Sequence, residues 1–381
     1  MHSPIRPDLT ARLRDLRIDL VRGIANLFIL VDHIPHNAVN LLTLRNFGFS
    51  GATDLFVFVG GYAAALLYGQ MAEERGFVVT ATRILKRVWQ LYAAYVVLFV
   101  IYVGVIGQVA SQYAVSDIID EYNVTGIVDH PVRVLAHGLM LQARPLNLDT
   151  LQLVIPLLAV LPVMLAGMQR WPKLTLAASI ALYLAARQFD LYLVSFPEGR
   201  WYFNPFCWQL LFVLGAQFAL DGGRHVRAMQ ERSLLRRLAV AYLVFALVIT
   251  LAGRIPQLAH LTPDLLLKPF TPNDKQNLAP YRVLHLLALA FLFTWYIPRD
   301  WQGLRARALQ PVIKCGEEWL ACFCTGVFLS LAGHLALITG PNSIAMQVMV
   351  SAAAAGLMTV VAYYVSWSRQ QDGRGAFGAQ A

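Results

Sequence analysis

The stretch DLRIDLVRGIANLFILVDHIPHNAVNLLTLRNFGFSGATDLFVFVGGY, residues 15–62, decides how the chain is read. It holds two apolar segments that nevertheless carry Asp19, Arg22, Asp32, His33 and Asp54. Ionisable groups at membrane depth are costly, so they point to function by default. If the first segment is one continuous helix, Arg22, Asn26, Ile29 and His33 share a face, because the interval from Arg22 to His33 is almost three whole turns. A rise of about 1.5 Å per residue separates Arg22 from His33 by about 16 Å, half a bilayer core. One face then runs from a charged rim to a histidine near mid-membrane.

Working outward, 57% of the 381 residues are hydrophobic, 14% are charged and the mean hydropathy is +0.54. That composition belongs to an integral membrane protein. Spans of about 20 residues with short connections leave room for ten helices in one all-α bundle, a single domain over residues 1–381. Apolar windows fall near 20–42, 51–70, 88–110, 149–168, 174–193, 205–220, 238–253, 281–297, 313–338 and 344–367. The net charge of +9 is dispersed among these windows and not gathered on a soluble face, so it does not indicate nucleic-acid binding. The N-terminal run is basic, as in a signal peptide, but no A-x-A-like cleavage site follows, and it reads as a retained first helix. Cys207, Cys315, Cys322 and Cys324 all lie in apolar runs, which suits packing and implies no metal or disulfide framework.

The basic residues set an orientation. Connections 1–19, 71–87, 169–173, 221–237, 299–314 and the tail 368–381 hold 21 of the 31 Lys and Arg residues. The positive-inside rule places these connections, and both termini, in the cytoplasm. Two long outer connections remain, 111–148 with Asp117, Asp120, Glu121 and Asp129, and 254–280 with Asn273-Asp274-Lys275. Loops of this length are usually functional or disordered, and here a lid or a binding rim is the reading preferred to a passive tether. WYFNPFCWQLLF, residues 201–212, reads as an aromatic belt, although aromatic faces also suit sugar rings and Asn204 and Trp208 offer polar handles. Asp274, Lys275 and Arg282 cluster at the mouth of the eighth span.

His33 is the candidate general base, since imidazole accepts and returns a proton near neutral pH. Asp32 is adjacent to it, and an antiparallel hairpin brings Asp54 toward the same end of the first helix. A carboxylate that orients an imidazole facing a hydroxyl nucleophile is a general-base arrangement. Gly60, Gly61, Ala63, Ala64 and Ala65 allow close helix packing or leave room for a slender ligand. Arg83, Lys86 and Arg87, with Asp19 and Arg22 nearby, form a cytoplasmic mouth; positive-inside signalling explains the cluster, and a phosphorylated donor such as an acyl-coenzyme A also requires such cations. There is no Walker motif or GxGxxG fingerprint.

The motifs RDLRIDLVRG, DHIPHN, GFSGATDLFVFVGGY, FNPFCWQLLFVLGAQ, KQNLAPYR and CGEEWLACFCTGVFLS, in that order, resemble the OpgC family, within the wider acyltransferase-3 group. The resemblance implies succinyl transfer from cytosolic succinyl-CoA, or another acyl-CoA, to hydroxyls of periplasmic glucans at the bacterial inner membrane. It implies that the group's Arg-x10-His pattern corresponds to Arg22 and His33, and its basic pair before the third span to Arg83 and Lys86. The donor is a substrate, with no permanently bound cofactor; acyl-CoA, glucan and membrane lipids are the expected partners. Where the family commonly reads like Ser-Asp-Ala-Ala-Glu and then Ser-Gly-Tyr, this chain has Ser50-Gly51-Ala52-Thr53-Asp54 and then Gly60-Gly61-Tyr62. The shorter carboxylate and the lost serine bear on the acyl group or acceptor more than on the reaction type. For a succinyl donor the free carboxylate should meet a cation, and Arg22, Lys275 and Arg282 are the candidates.

Two other readings compete. One is an enzyme of the same group that O-acetylates another exported glycan. The other is a transporter of glycans or small anions, which internal inverted repeats would favour, and the two halves show no convincing repeat.

Overall fold

A computed structural model describes residues 15–378 except 114–118, 120–121, 125–126, 128–129, 144, 197, 223–228 and 230, with side chains through residue 371. The N-terminal run before Asp15 and the loop acids Asp117, Asp120, Glu121 and Asp129 lie outside the described residues. The described residues are helical, with isolated bridges in place of strands, as expected for an all-α protein. The helices are α1 (Leu16–Asp32), α2 (Ala52–Tyr113), α3 (Pro131–Leu139), α4 (Asp149–Arg170), α5 (Pro172–Gln188), α6 (Pro205–Leu220), α7 (Ser233–Ala252), α8 (Pro280–Tyr296), α9 (Gln310–Glu317), α10 (Trp319–Thr339) and α11 (Ile344–Gly378).

Among the described residues, five helices are long and apolar enough to cross a membrane: Ala52–Gln112 of α2, all of α4, α7 and α10, and Ile344–Gln371 of α11. Helices α1, α5, α6 and α8 have 16 or 17 residues. α6 lies at the centre and is apolar and buried on nearly every side, with α2, α4 and α5 packed around it. α7 buries only Ala246, Ile249 and Ala252 and turns the rest of its surface outward.

Glycines set the closest approaches. A Cβ on Gly61 would overlap the Phe212 carbonyl oxygen, and one on Gly215 would overlap that of Phe58, so α2 and α6 meet backbone to backbone. Gly60, its neighbour, has no atom of another residue near its missing Cβ and faces open space.

Two boundaries differ from the sequence expectation. The apolar window 20–42 overruns the first helix, which stops at Asp32 and passes into two 3-10 turns, Ala38–Leu42 and Leu44–Asn46. Pro35 has no N–H to continue the helical ladder, and Asn37 caps the next turn by accepting from the Val39 N–H. The connection 71–87 is not a loop. Helix continues through it except at Gly76, whose φ of 79° and ψ of 171° break α2 into two limbs.

Candidate active site

α1 carries the face expected of it. His33 caps the helix, its N–H donating to the Ile29 carbonyl at 3.1 Å, so Arg22, Asn26, Ile29 and His33 line one side. Asn26 donates to the Trp319 carbonyl at 3.1 Å and fixes α1 against α10. The His33 ring is half-buried and makes no hydrogen bond with any described residue. Asp32 turns elsewhere: the Thr43 hydroxyl donates to it at 2.6 Å and Arg45 pairs with it at 3.1 Å.

The starts of α2 and α8 are joined by an ion pair. Arg282 Nη2 lies 2.6 Å from Asp54 Oδ2, both side chains almost fully buried, and the Gly51 N–H donates to the same oxygen at 2.8 Å. Arg282 Nη1 donates to Asn273 Oδ1 at 3.0 Å. One turn along α8, His285 is buried and accepts from the Ser50 N–H at 3.3 Å, while the Ser50 hydroxyl donates to the Arg282 carbonyl at 3.1 Å. His285 was missed from the sequence; its spacing from Arg282 on an otherwise apolar helix is the signal that could have found it.

The segment 273–279 lies across the start of α6. Trp208 Nε1 donates to the carbonyls of Lys275 at 3.1 Å and Gln276 at 3.2 Å. Asn204 donates to Asn277 Oδ1 at 3.0 Å and caps α6 through the Phe206 N–H. Asp274 pairs with Arg187 at 3.0 Å and accepts from the Asn277 N–H. Held this way, the Lys275 ammonium sits 5.3 Å from the ring centre of Tyr202 and 5.1 Å from that of Phe203, a cation–π arrangement. Burial, with the Arg282 guanidinium adding to it, pushes the Lys275 ammonium down to about 8. Among the described residues, the charges of Lys275 and Arg45 reach the His33 ring.

Further along the Arg22 face is a cavity of about 370 Å³. Arg22, Gly60, Ala63, Ala64, Tyr68, Arg87 and Trp319 contribute to its wall. The guanidinium carbons of Arg22 and Arg87 lie 6.0 and 5.5 Å from the Trp319 ring centre. Gly60 and Gly61 thus divide the two uses open to them, one facing the cavity and the other packing on Phe212.

A family model described as OpgC protein matches residues 14–370. The chain belongs to the OpgC family. Searches of curated proteins and of solved structures each return no match. As an OpgC protein it has a transferase-type, glucan-modifying character and sits in a membrane.

Within this OpgC chain the candidate residues fall into three groups. Lys275 and His33 are brought to one side of the bundle, with Arg45 as an additional charge. Arg22 and Arg87 are brought together at the cavity, whereas Arg83 and Lys86 stand on the exposed surface of α2 and do not line it. Asp19, buried one turn before Arg22, opposes its charge. The remaining candidates have other tasks. Neither Asp32 nor Asp54 hydrogen-bonds His33, because each is held by its own arginine. Asn204 and Trp208 are buried under segment 273–279 and offer no face to an acceptor; they fasten that segment instead. Arg282 is likewise committed to Asp54 and Asn273, and Asp274 to Arg187.

Proposed function

We propose that this OpgC protein transfers a succinyl group from cytosolic succinyl-CoA to a hydroxyl of a periplasmic glucan. The proposal includes a ten-span bundle in the bacterial inner membrane, within the acyltransferase-3 group, with both termini cytoplasmic. The observation that carries it is the cavity beside Arg22, walled by Gly60 and small residues and bearing two guanidinium groups over Trp319, on the same helix face that ends at His33. A pantetheine arm is slender and rich in amide carbonyls, which suits a narrow cavity with guanidinium donors.

In this reading the arm brings its thioester to His33 from the cytoplasmic side and the glucan hydroxyl arrives from the periplasm. An imidazole nitrogen of His33 takes the hydroxyl proton while the oxygen attacks the thioester carbonyl. The tetrahedral intermediate collapses, the C–S bond breaks, and the imidazolium returns its proton to the departing thiolate. An ester and free coenzyme A result, with no covalent enzyme intermediate. Neither carboxylate needs to touch the ring: Asp32 and Asp54 each hold an arginine beside the site.

The test is His33→Ala, assayed for acyl-CoA-dependent labelling of periplasmic glucans at matched expression. Loss of labelling is expected, and retained activity overturns the assignment. Mass spectrometry of the labelled glucan reads the acyl group directly.

A further inference from the structure

The charges of Lys275 and Arg45 reach His33, and the neighbouring guanidinium groups already have partners. Arg282 is paired with Asp54 and bonded to Asn273. Arg45 is paired with Asp32, and Arg254 donates to Asn46 and to the Arg45 carbonyl. Lys275 differs, because its ammonium makes no hydrogen bond or ion pair with any described residue. The rings of Tyr202 and Phe203 flank it, and its backbone carbonyl is fixed by Trp208. An ammonium half-buried against aromatic faces, with no anion bonded to it, is incomplete as a structural element. It is poised to receive one.

Arg22, on the same helix face as His33, is also without an anion bonded to it among the described residues, and chain length separates the two. Arg22 lies about 16 Å back along α1 from His33. A four-carbon acyl chain spans only about 5 Å from its thioester carbon to its far end. A thioester reacting at His33 therefore cannot return its distal group to Arg22. The donor arm passes Arg22 on its way in, and the acyl chain continues beyond the carbonyl toward the outer side, where Lys275 is. Lysine also suits the task, since a compact charge on a flexible stem can meet a single carboxylate without the fixed fork of arginine.

We propose that Lys275 selects the acyl group, its ammonium receiving the free carboxylate of a dicarboxylic acyl chain whose thioester lies at His33. This rests on the reading of His33 as the base. A monocarboxylic acyl group leaves the ammonium without a partner and gains nothing from it.

The experiment uses the full-length protein in nanodiscs with glucan acceptor, and compares kcat/KM for succinyl-CoA and acetyl-CoA. Wild-type protein should prefer the succinyl donor by about 10-fold or more, the worth of one charge-assisted hydrogen bond. Lys275→Met should abolish the preference by slowing succinyl transfer alone, and Lys275→Arg should restore part of it. Acetyl transfer by the same preparation reports that the variant is folded. Equal loss with both donors, or a preference that survives in Lys275→Met, overturns the proposal, as does a wild-type protein indifferent to the donor. Failure of the underlying reading looks different: His33→Ala then remains active with both donors. A wild-type protein inactive with every acyl-CoA overturns both.

Discussion

Replacing Arg282 by Met strands the Asp54 carboxylate. That side chain is fully buried, and the Gly51 N–H at 2.8 Å would be its remaining partner. Removing one member of a buried ion pair costs about 3–5 kcal/mol, because the other charge stays desolvated. On the scale of about 1.4 kcal/mol per factor of ten, the unfolding equilibrium should shift by about a hundredfold or more. The pair is imperfect even when intact, since Asp54 Oδ1 and Arg282 Nε are buried without hydrogen bonds. An apolar replacement of both residues, Asp54→Leu with Arg282→Met, removes those orphaned atoms as well and should return to within about 1 kcal/mol of the wild type. Unfolding in mixed detergent micelles measures all four proteins of the cycle, and a coupling of at least about 2 kcal/mol is expected. Single variants that each cost less than about 1 kcal/mol and simply add would refute the reasoning. Transfer should stay impaired in the stable double variant, because Arg282 also holds Asn273 and through it the segment bearing Lys275. Full activity there would show that the segment is positioned without Arg282.

Adjacent glycines should respond in opposite ways. Gly61→Ala drives a Cβ into the Phe212 carbonyl and should cost about 1–3 kcal/mol, whereas Gly60→Leu should leave stability unchanged, fill the cavity and raise the donor KM. Arg87→Ala should raise the donor KM at similar kcat, while Arg83→Ala with Lys86→Ala should not; an equal rise in the paired variant would place the coenzyme head group on the exposed face. Since the Lys275 ammonium titrates near 8, preference for a dicarboxylic donor should hold below that pH and decline above it as the charge is lost. Lys275→Arg should flatten this profile, because arginine stays charged, and a wild-type donor ratio constant across pH 8 would contradict it.

Much of the helical layout was legible because hydropathy and helical period are local properties of the chain. The Arg22–His33 face needed nothing beyond the rise and twist of one helix. The end of α1 was blurred because a window average runs past Pro35, and the helical continuation through 71–87 was not legible because a helix that turns polar loses its hydropathy but not its hydrogen bonds. Partners distant in sequence were out of reach. Asp54 and Arg282 are 228 residues apart, and nothing near either one announces the other. Trp208 looked like a surface aromatic because the carbonyls that bury its N–H belong to a segment 67 residues away. The carboxylates were assigned to His33 by adjacency, and tertiary contacts gave each of them an arginine instead.

The break at Gly76 joins these parts in a further way. Gly60, Ala63 and Tyr68 belong to the first limb of α2, and Arg87 belongs to the second, so two portions of one cavity wall ride on rods that meet at a single residue. The Gly76 backbone occupies a region that side-chain-bearing residues hardly visit. A substitution that changes the Gly76 torsion angles would therefore move the Arg87 portion of the wall relative to the Gly60 portion, without touching a single group that lines the cavity.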